Sequence, residues 1–345
     1  MKILVIGPSW VGDMVMSQSL YITLKKIHPS AQIDVLAPAW CKPILERMPQ
    51  VANAIEMPLG HGSFNLSERW RIGRLLKKNG YEHAYILPNS AKSALIPLFA
   101  GIKKRTGWKG EFRFGLLNDL RKDKHIFQFM VERYVALAYS AHSMKDDVSI
   151  KSSCPFPHLV SDTNNLNESL TKLGLTTNIR TFGLCPGAEF GPAKRWPEDK
   201  YAQVAQHIIE HGGQVWMFGS QKDRPVTESI KQRLPESLKE HCYNLAGETT
   251  LNQAVDLLSA CDTVVSNDSG LMHVAAAVGC HVIAVYGSSS PDYTPPLTDK
   301  LDIVHTNIDC RPCFKRTCPL VHQDCLNKLD SQKVIERLNL TLPNG

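Results

Sequence analysis

The stretch Thr263-Val264-Val265-Ser266-Asn267-Asp268-Ser269-Gly270-Leu271-Met272-His273-Val274-Ala275-Ala276-Ala277 reads as a short β-branched strand, a cluster of small polar residues and an Ala-rich helix, in that order. A strand that passes through a sharp turn straight into a helix is half of a βαβ unit. The same form recurs outward along the chain. The apolar runs Ile3 to Gly7, Ile33 to Ala37, Ala84 to Asn89, Phe182 to Gly187, Val215 to Ser220 and Val282 to Ser288 each end in small or polar residues. After the first of them, Met16, Leu20, Leu24 and Ile27 fall on one face of a helix. Alternating strands and helices imply parallel sheets covered on both faces, so the expected fold class is α/β, built from doubly wound, Rossmann-like domains.

The alternation occurs twice, before about residue 140 and after about residue 180. Between them lies a polar stretch with Ser152-Ser153-Cys154-Pro155-Phe156-Pro157 and Asp162 to Asn167, the expected boundary. A chain of 345 residues with 43% hydrophobic and 21% charged side chains suits two ordinary packed cores and disfavours fibrous or disordered classes. The domains expected are 1–165 and 180–345, with the last helix packing back on the N-terminal one. The formal excess of +6 is too mild to argue for nucleic acid, but residues 1–145 hold 21 basic and 10 acidic side chains, so the basic character belongs to the N-terminal half. No apolar run approaches the roughly 18 residues needed to cross a bilayer, and Met1 to Ile6 is too short for a signal segment. A cytoplasmic protein is expected. Of ten cysteines, Cys41, Cys154, Cys185, Cys242, Cys261 and Cys280 are scattered singly, as small core residues in a reducing compartment would be.

In doubly wound sheets ligands lie beyond the carboxyl ends of the strands, so the turns are where chemistry is sought. The first turn, Gly7-Pro8-Ser9-Trp10-Val11-Gly12-Asp13, lacks the G-x-G-x-x-G dinucleotide pattern, which disfavours a nicotinamide or flavin cofactor. Asp13 falls in the first turn of the following helix, where the macrodipole favours a carboxylate; it serves as a proton acceptor or as a plain helix-start acid. The turn Asp268-Ser269-Gly270 presents free N–H groups suited to a diphosphate, with His273 one turn further on as a ligand contact or a structural histidine. The loop Pro186 to Pro197 carries Gly187, Ala188, Glu189, Phe190 and Lys194; the lysine either faces a leaving phosphate or is a solvated surface cation. Phe218-Gly219-Ser220 forms a third loop on the same rim.

Taken together, the segments IGPSWVGD (Ile6 to Asp13), APAWC (Ala37 to Cys41), LGHG (Leu59 to Gly62), LPNS (Leu87 to Ser90), CPGAEFGPAKRWP (Cys185 to Pro197), LAGE (Leu245 to Glu248) and NDSGLMHVAA (Asn267 to Ala276) resemble the ADP-heptose:lipopolysaccharide heptosyltransferases of glycosyltransferase family nine, within them the branch that adds the second heptose. The resemblance implies a GT-B fold, two Rossmann-like domains facing across a cleft. It implies an inverting transfer of L-glycero-D-manno-heptose from ADP-heptose to the first heptose of the lipopolysaccharide inner core, without a catalytic metal or other cofactor. By that pattern Asp13 is the general base, with Lys194 as its catalytic partner at the donor. Gly187, Ala188, Glu189, Phe190, Lys194, Gly219, Ser220, Thr249, Asp268, Ser269, Gly270 and His273 bind the donor, and Asn89, Lys92, Arg105 and Arg113 the acceptor. Since that acceptor is lipid-anchored and anionic, the basic, aromatic strip Lys103, Lys104, Arg105, Lys109, Arg113, Arg121, Lys122 and Lys124 with Trp108, Phe112 and Phe114 is expected to meet it at the inner membrane surface, or else is a solvated face.

Cys310, Cys313, Cys318 and Cys325 follow C-x2-C-x4-C-x6-C, with His305 and His322 nearby. They suit a structural zinc or iron–sulfur site, reduced thiols or a local disulfide, outside the reaction in each case. Two other functions remain compatible with such a chain: a sugar-nucleotide epimerase, which needs no acceptor, and a non-catalytic binder of nucleotide sugars. A transfer to an acceptor carrying no heptose is the remaining variant of the first reading.

Overall fold

The computed structural model describes residues 1–60, 63–144 and 154–338. The chain divides into two compact units, Met1–Val160 and Ser161–Gly345. Among the described residues the first unit holds one six-stranded parallel sheet: β1 (Lys2–Ile6), β2 (Gln32–Ala37), β3 (Val51–Glu56), β4 (His83–Ile86), β5 (Lys104–Trp108) and β6 (Asp119–Arg121). Their order is β3-β2-β1-β4-β5-β6, with Ile3 aligned to Ile33 on one side and to His83 on the other. The second unit repeats the plan with β7 (Thr181–Cys185), β8 (Gln214–Met217), β9 (Cys242–Asn244), β10 (Thr263–Asn267), β11 (His281–Val285) and β12 (Leu301–Val304), in the order β12-β11-β10-β7-β8-β9. In both sheets the winding reverses at one place, between β1 and β4 and between β7 and β10. Ligands of doubly wound sheets bind at such reversals.

The strands beside the reversals are those that the apolar runs mark. Every residue of β4, β7 and β10 is buried, because helices cover both faces. The outer strands β3, β9 and β12 are half-exposed and mixed in composition, and with β5 and β6 they carry no continuous apolar run. Leu4, Ile6, Ile72, Leu76, Ile86 and Ile96 pack in the first core, and Phe182, Leu184, Trp196, Tyr201, Ile208 and Val265 in the second.

The division at Val160/Ser161 falls within the expected boundary stretch. Ser152 and Ser153 lie outside the described residues, whereas Asp162 caps a helix, Thr163–Leu173, by accepting from the Asn164 and Asn165 amides at 2.9 and 3.2 Å. The polar run from Asp162 is therefore a helix start of the second unit, not a linker. At the other end, Val334 and Leu338 are built into the second unit's core.

The basic strip is likewise divided by burial. Lys103, Lys104, Lys109 and Lys122 are exposed beside Phe112 and Phe114, whose rings pack edge to face at 5.5 Å. Arg121 is buried against Asp119. Arg113, expected among the acceptor contacts, is 1% exposed and donates to the carbonyls of Pro88, at 2.6 Å, and Trp108. Burial lowers its pKa to about 10, still charged at neutral pH. Arg105 donates to the carbonyls of Leu116 and Ile102 at 2.7 and 2.6 Å. Arg113 thus ties the β5–β6 loop to Pro88, after β4, and to the end of β5, and Arg105 ties β5 to Leu116 in the same loop. Arg113→Ala should lower unfolding stability by about 2–4 kcal/mol, while Lys109→Ala leaves it within about 0.5 kcal/mol; urea unfolding of both variants distinguishes a strut from a surface cation.

Candidate active site

The two strand-order reversals place the candidate residues. In the first unit β1 leads through Gly7 to Trp10 into the helix Val11–Ile27, and Asp13 stands half-buried in its first turn. The helix start has no side-chain cap, so its dipole acts on Asp13 directly. The Tyr134 hydroxyl, on the helix Met130–Val135, donates to Asp13 Oδ1 at 3.1 Å. Cys41 is pushed up to about 12 by burial and by the negative charge of Asp13. Tyr134 had no signal in the sequence, since its partner lies 121 positions away. Asn89 and Lys92 sit on the loop after β4, the other strand of the reversal; Asn89 is exposed and its carbonyl accepts from Glu111 N at 3.0 Å.

In the second unit the loop after β7 and the turn after β10 lie side by side. Asn267, fully buried, donates to the Pro186 carbonyl at 2.6 Å and accepts from Trp196 N and from the Tyr201 hydroxyl, each at 3.1 Å. One side chain thus fixes both ends of the loop that carries Lys194. Lys194 Nζ donates to Asp268 Oδ2 at 2.5 Å and lies 4.9 Å from the centre of the Phe190 ring. Ser269 is the N-cap of the helix Gly270–Ala277 in an extended conformation, and its side chain makes no cap bond. The first-turn N–H groups of that helix therefore remain for an anion.

His273 follows on the same helix, 5% exposed. Burial, assisted by the charge of Lys194 and opposed by Asp268, lowers its pKa to about 4, so it is a neutral imidazole at physiological pH. Ala188 is buried, and an added Cβ at Gly187 would lie 2.6 Å from the Asp223 carboxyl, so only glycine fits there. Asp223 Oδ2 accepts from the amide and hydroxyl of Ser220 at 2.9 and 2.7 Å, closing the turn at Gly219. Glu189 is exposed and accepts from Lys222 at 3.0 Å. Thr249 lies half-buried just before Thr250, which caps the helix Leu251–Ser259.

Cys310, Cys313, Cys318 and Cys325, all free thiols, line one small cavity with His322. Among the described residues no group of three His, Cys, Asp or Glu side chains is arranged to hold a metal ion.

The first unit thus carries a carboxylate at its strand-order reversal, and the second an uncapped helix start beside a paired lysine. Glycosyltransferase family 9 (heptosyltransferase) matches residues 69–323. The chain is 49% identical over 343 residues to lipopolysaccharide heptosyltransferase 2 of Escherichia coli (strain K12), covering 99% of each. It is 54% identical over 310 residues to lipooligosaccharide heptosyltransferase 2 of Haemophilus influenzae, covering 88% of each. The solved structure of E. coli ADP-heptose lps heptosyltransferase II superposes with a TM-score of 0.88 at 48% identity, covering 98% of each chain. The chain belongs to glycosyltransferase family 9, and it is a glycosyltransferase with the GT-B fold of the heptosyltransferases.

The two most depressed histidines set a pH dependence. His273 and His83 both have folded pKa values near 4, lowered first by burial, against about 6.5 when unfolded. Below about 6.5 the unfolded chain binds protons that the folded one does not, so their stability contribution is present above that pH and is lost as pH falls toward 4. Urea unfolding at pH 7, 6 and 5 should show stability falling by on the order of 1 kcal/mol per pH unit per group, and His273→Gln should reduce that slope.

Proposed function

We propose that this glycosyltransferase transfers L-glycero-D-manno-heptose from ADP-heptose to the first heptose of the lipopolysaccharide inner core, with inversion. The observation that carries the reading is the uncapped helix start at Ser269–Gly270 beside the Lys194–Asp268 pair, a cradle suited to a diphosphate leaving group. The near-full-length similarity to heptosyltransferase 2 enzymes supports the donor and the acceptor class. In this reading Asp13, oriented by Tyr134, removes the proton of the acceptor hydroxyl as its oxygen attacks the anomeric carbon. The bond to the ADP oxygen breaks on the opposite face, and the negative charge passes to the diphosphate, stabilised by Lys194 and the helix amides. His273, neutral, contributes an N–H without adding charge. Nothing in this sequence of steps calls for a metal or other cofactor.

The acceptor is lipid-anchored, which places the enzyme in the cytoplasm at the periphery of the inner membrane. No helix among the described residues is long and apolar enough to cross it. Lys103, Lys104, Lys109 and Lys122, with Phe112 and Phe114, are the exposed groups of the basic strip that remain for contact with anionic lipid or core sugar.

The test uses ADP-heptose with acceptors bearing either no heptose or one. Transfer is expected only to the second, with the anomeric configuration inverted by NMR. Asp13→Asn should lower kcat by a factor of about 100 or more while ADP-heptose affinity stays within about twofold. A retained anomeric configuration, or an Asp13→Asn enzyme with near-normal turnover, would overturn the mechanism. Consumption of ADP-heptose to an isomer without acceptor would instead favour an epimerase.

A further inference from the structure

The cations at the carboxyl ends of β7 and β8 are largely neutralised by the protein's own acids. Lys194 is paired with Asp268 at 2.5 Å, Lys222 with Glu189 at 3.0 Å and Arg195 with Asp223 at 3.8 Å, and Arg224 is paired with Glu248. A diphosphate brings roughly two or more negative charges, whereas an uncapped helix start supplies about half a positive charge. The cradle as first described is therefore short of positive charge.

Arg316 lies beside it. Its guanidinium carbon is 5.3 Å from the centre of the Phe190 ring, the same ring that Lys194 Nζ approaches at 4.9 Å. Arg316 is exposed, and among the described residues no carboxylate pairs with it. Its backbone is fixed to the Lys194 loop. Ala193 N donates to the Arg316 carbonyl at 3.1 Å, and at Gly191 (φ +154) an added Cβ would come within 2.5 Å of that oxygen. Gln323 Nε2, from the same segment, donates to the carbonyls of Pro192 and Arg195, each at 3.1 Å. A guanidinium laid against an aromatic ring keeps its N–H edge free, and that planar fork matches phosphate oxygens.

We propose that Arg316 is a second donor-site cation, held against Phe190 so that its free edge binds the diphosphate of the nucleotide sugar beside the Gly270 helix start. The inference rests on the reading of the donor as ADP-heptose. It gives the irregular segment that follows β12 a task in the reaction, and gives Phe190 one as the platform for the guanidinium.

Calorimetric titration of the full chain with ADP tests it, comparing wild type with Arg316→Ala, Arg316→Met, Arg316→Lys and Lys315→Ala. Arg316→Ala and Arg316→Met should each weaken ADP about tenfold, with a shallower salt dependence than wild type. Arg316→Lys should recover part of the loss, and Lys315→Ala, which removes an adjacent exposed charge, should change little. AMP, with one phosphate, should lose less than ADP. In turnover the donor KM should rise while the acceptor KM stays constant. The methionine variant preserves packing on Phe190, so an unchanged melting temperature with lost ADP affinity separates charge from folding. ADP binding within twofold of wild type in both neutral variants, or an equal loss in Lys315→Ala, overturns the role of Arg316. If wild type itself neither binds ADP nor consumes ADP-heptose, the donor reading fails, and Arg316 with it.

Discussion

The loop that carries Lys194 in the second unit depends on the carboxamide of Asn267. It is fully buried at the end of β10, and it donates to Pro186 while accepting from Trp196 N and the Tyr201 hydroxyl. Those contacts hold the first and last residues of the loop after β7 against the neighbouring strand. Lys194 lies inside that loop and Asp268 is the next residue after Asn267, so their 2.5 Å approach follows from a backbone already fixed. A carboxamide meets this need because it donates and accepts at once. An aspartate there would add an uncompensated buried charge, and a leucine would orphan three buried polar groups, at about 1–3 kcal/mol each.

The same enclosure sets the charge state of the site. Asp268 is 5% exposed, and a carboxylate so placed requires a partner. Lys194 is that partner, with the consequence that much of its charge is balanced before any ligand arrives. Burial also keeps His273 neutral. In the proposed reading, the donor diphosphate is therefore held by oriented N–H groups and by cations outside the enclosed pair more than by the field of a single lysine. Oriented dipoles suit a leaving diphosphate well, since they need no reorganisation as charge develops.

The sequence carried the central architecture because β4, β7 and β10 are buried on both faces and must be apolar throughout. It did not carry β3, β9 or β12, where one face meets water and residues such as Asn53 or Asp302 interrupt the pattern. Candidate turns were legible for a related reason: Asp13 follows β1, Lys194 follows β7 and Asp268 follows β10, each a strand beside a reversal. What the sequence lacked was burial. Arg113 and Lys109 stand four positions apart in one basic strip, yet one is enclosed under a loop and the other faces solvent. Nothing in a run without helical or strand period separates them. Long-range pairs were equally hidden, as with Tyr134 on Asp13, or Arg316 on Phe190. The polar run at Asp162 marked the place where the units divide, but not that it starts a helix, because a capping residue and a loop residue are chemically the same.

Both reversals rest on one piece of physics used in two ways. At each, a buried strand turns into a helix whose first amides have no side-chain cap, leaving a partial positive charge at the strand's end. In the first unit the protein places its own carboxylate, Asp13, in that helix turn, where the dipole favours the ionised form. In the second unit the nearby carboxylate, Asp268, is drawn away by Lys194, and the amides stay open to an external anion. A fold that repeats its strand order thus obtains a fixed internal anion at one helix start and uncapped amides at the other. The difference lies in where a single aspartate falls: inside the helix at residue 13, or two residues ahead of it at residue 268.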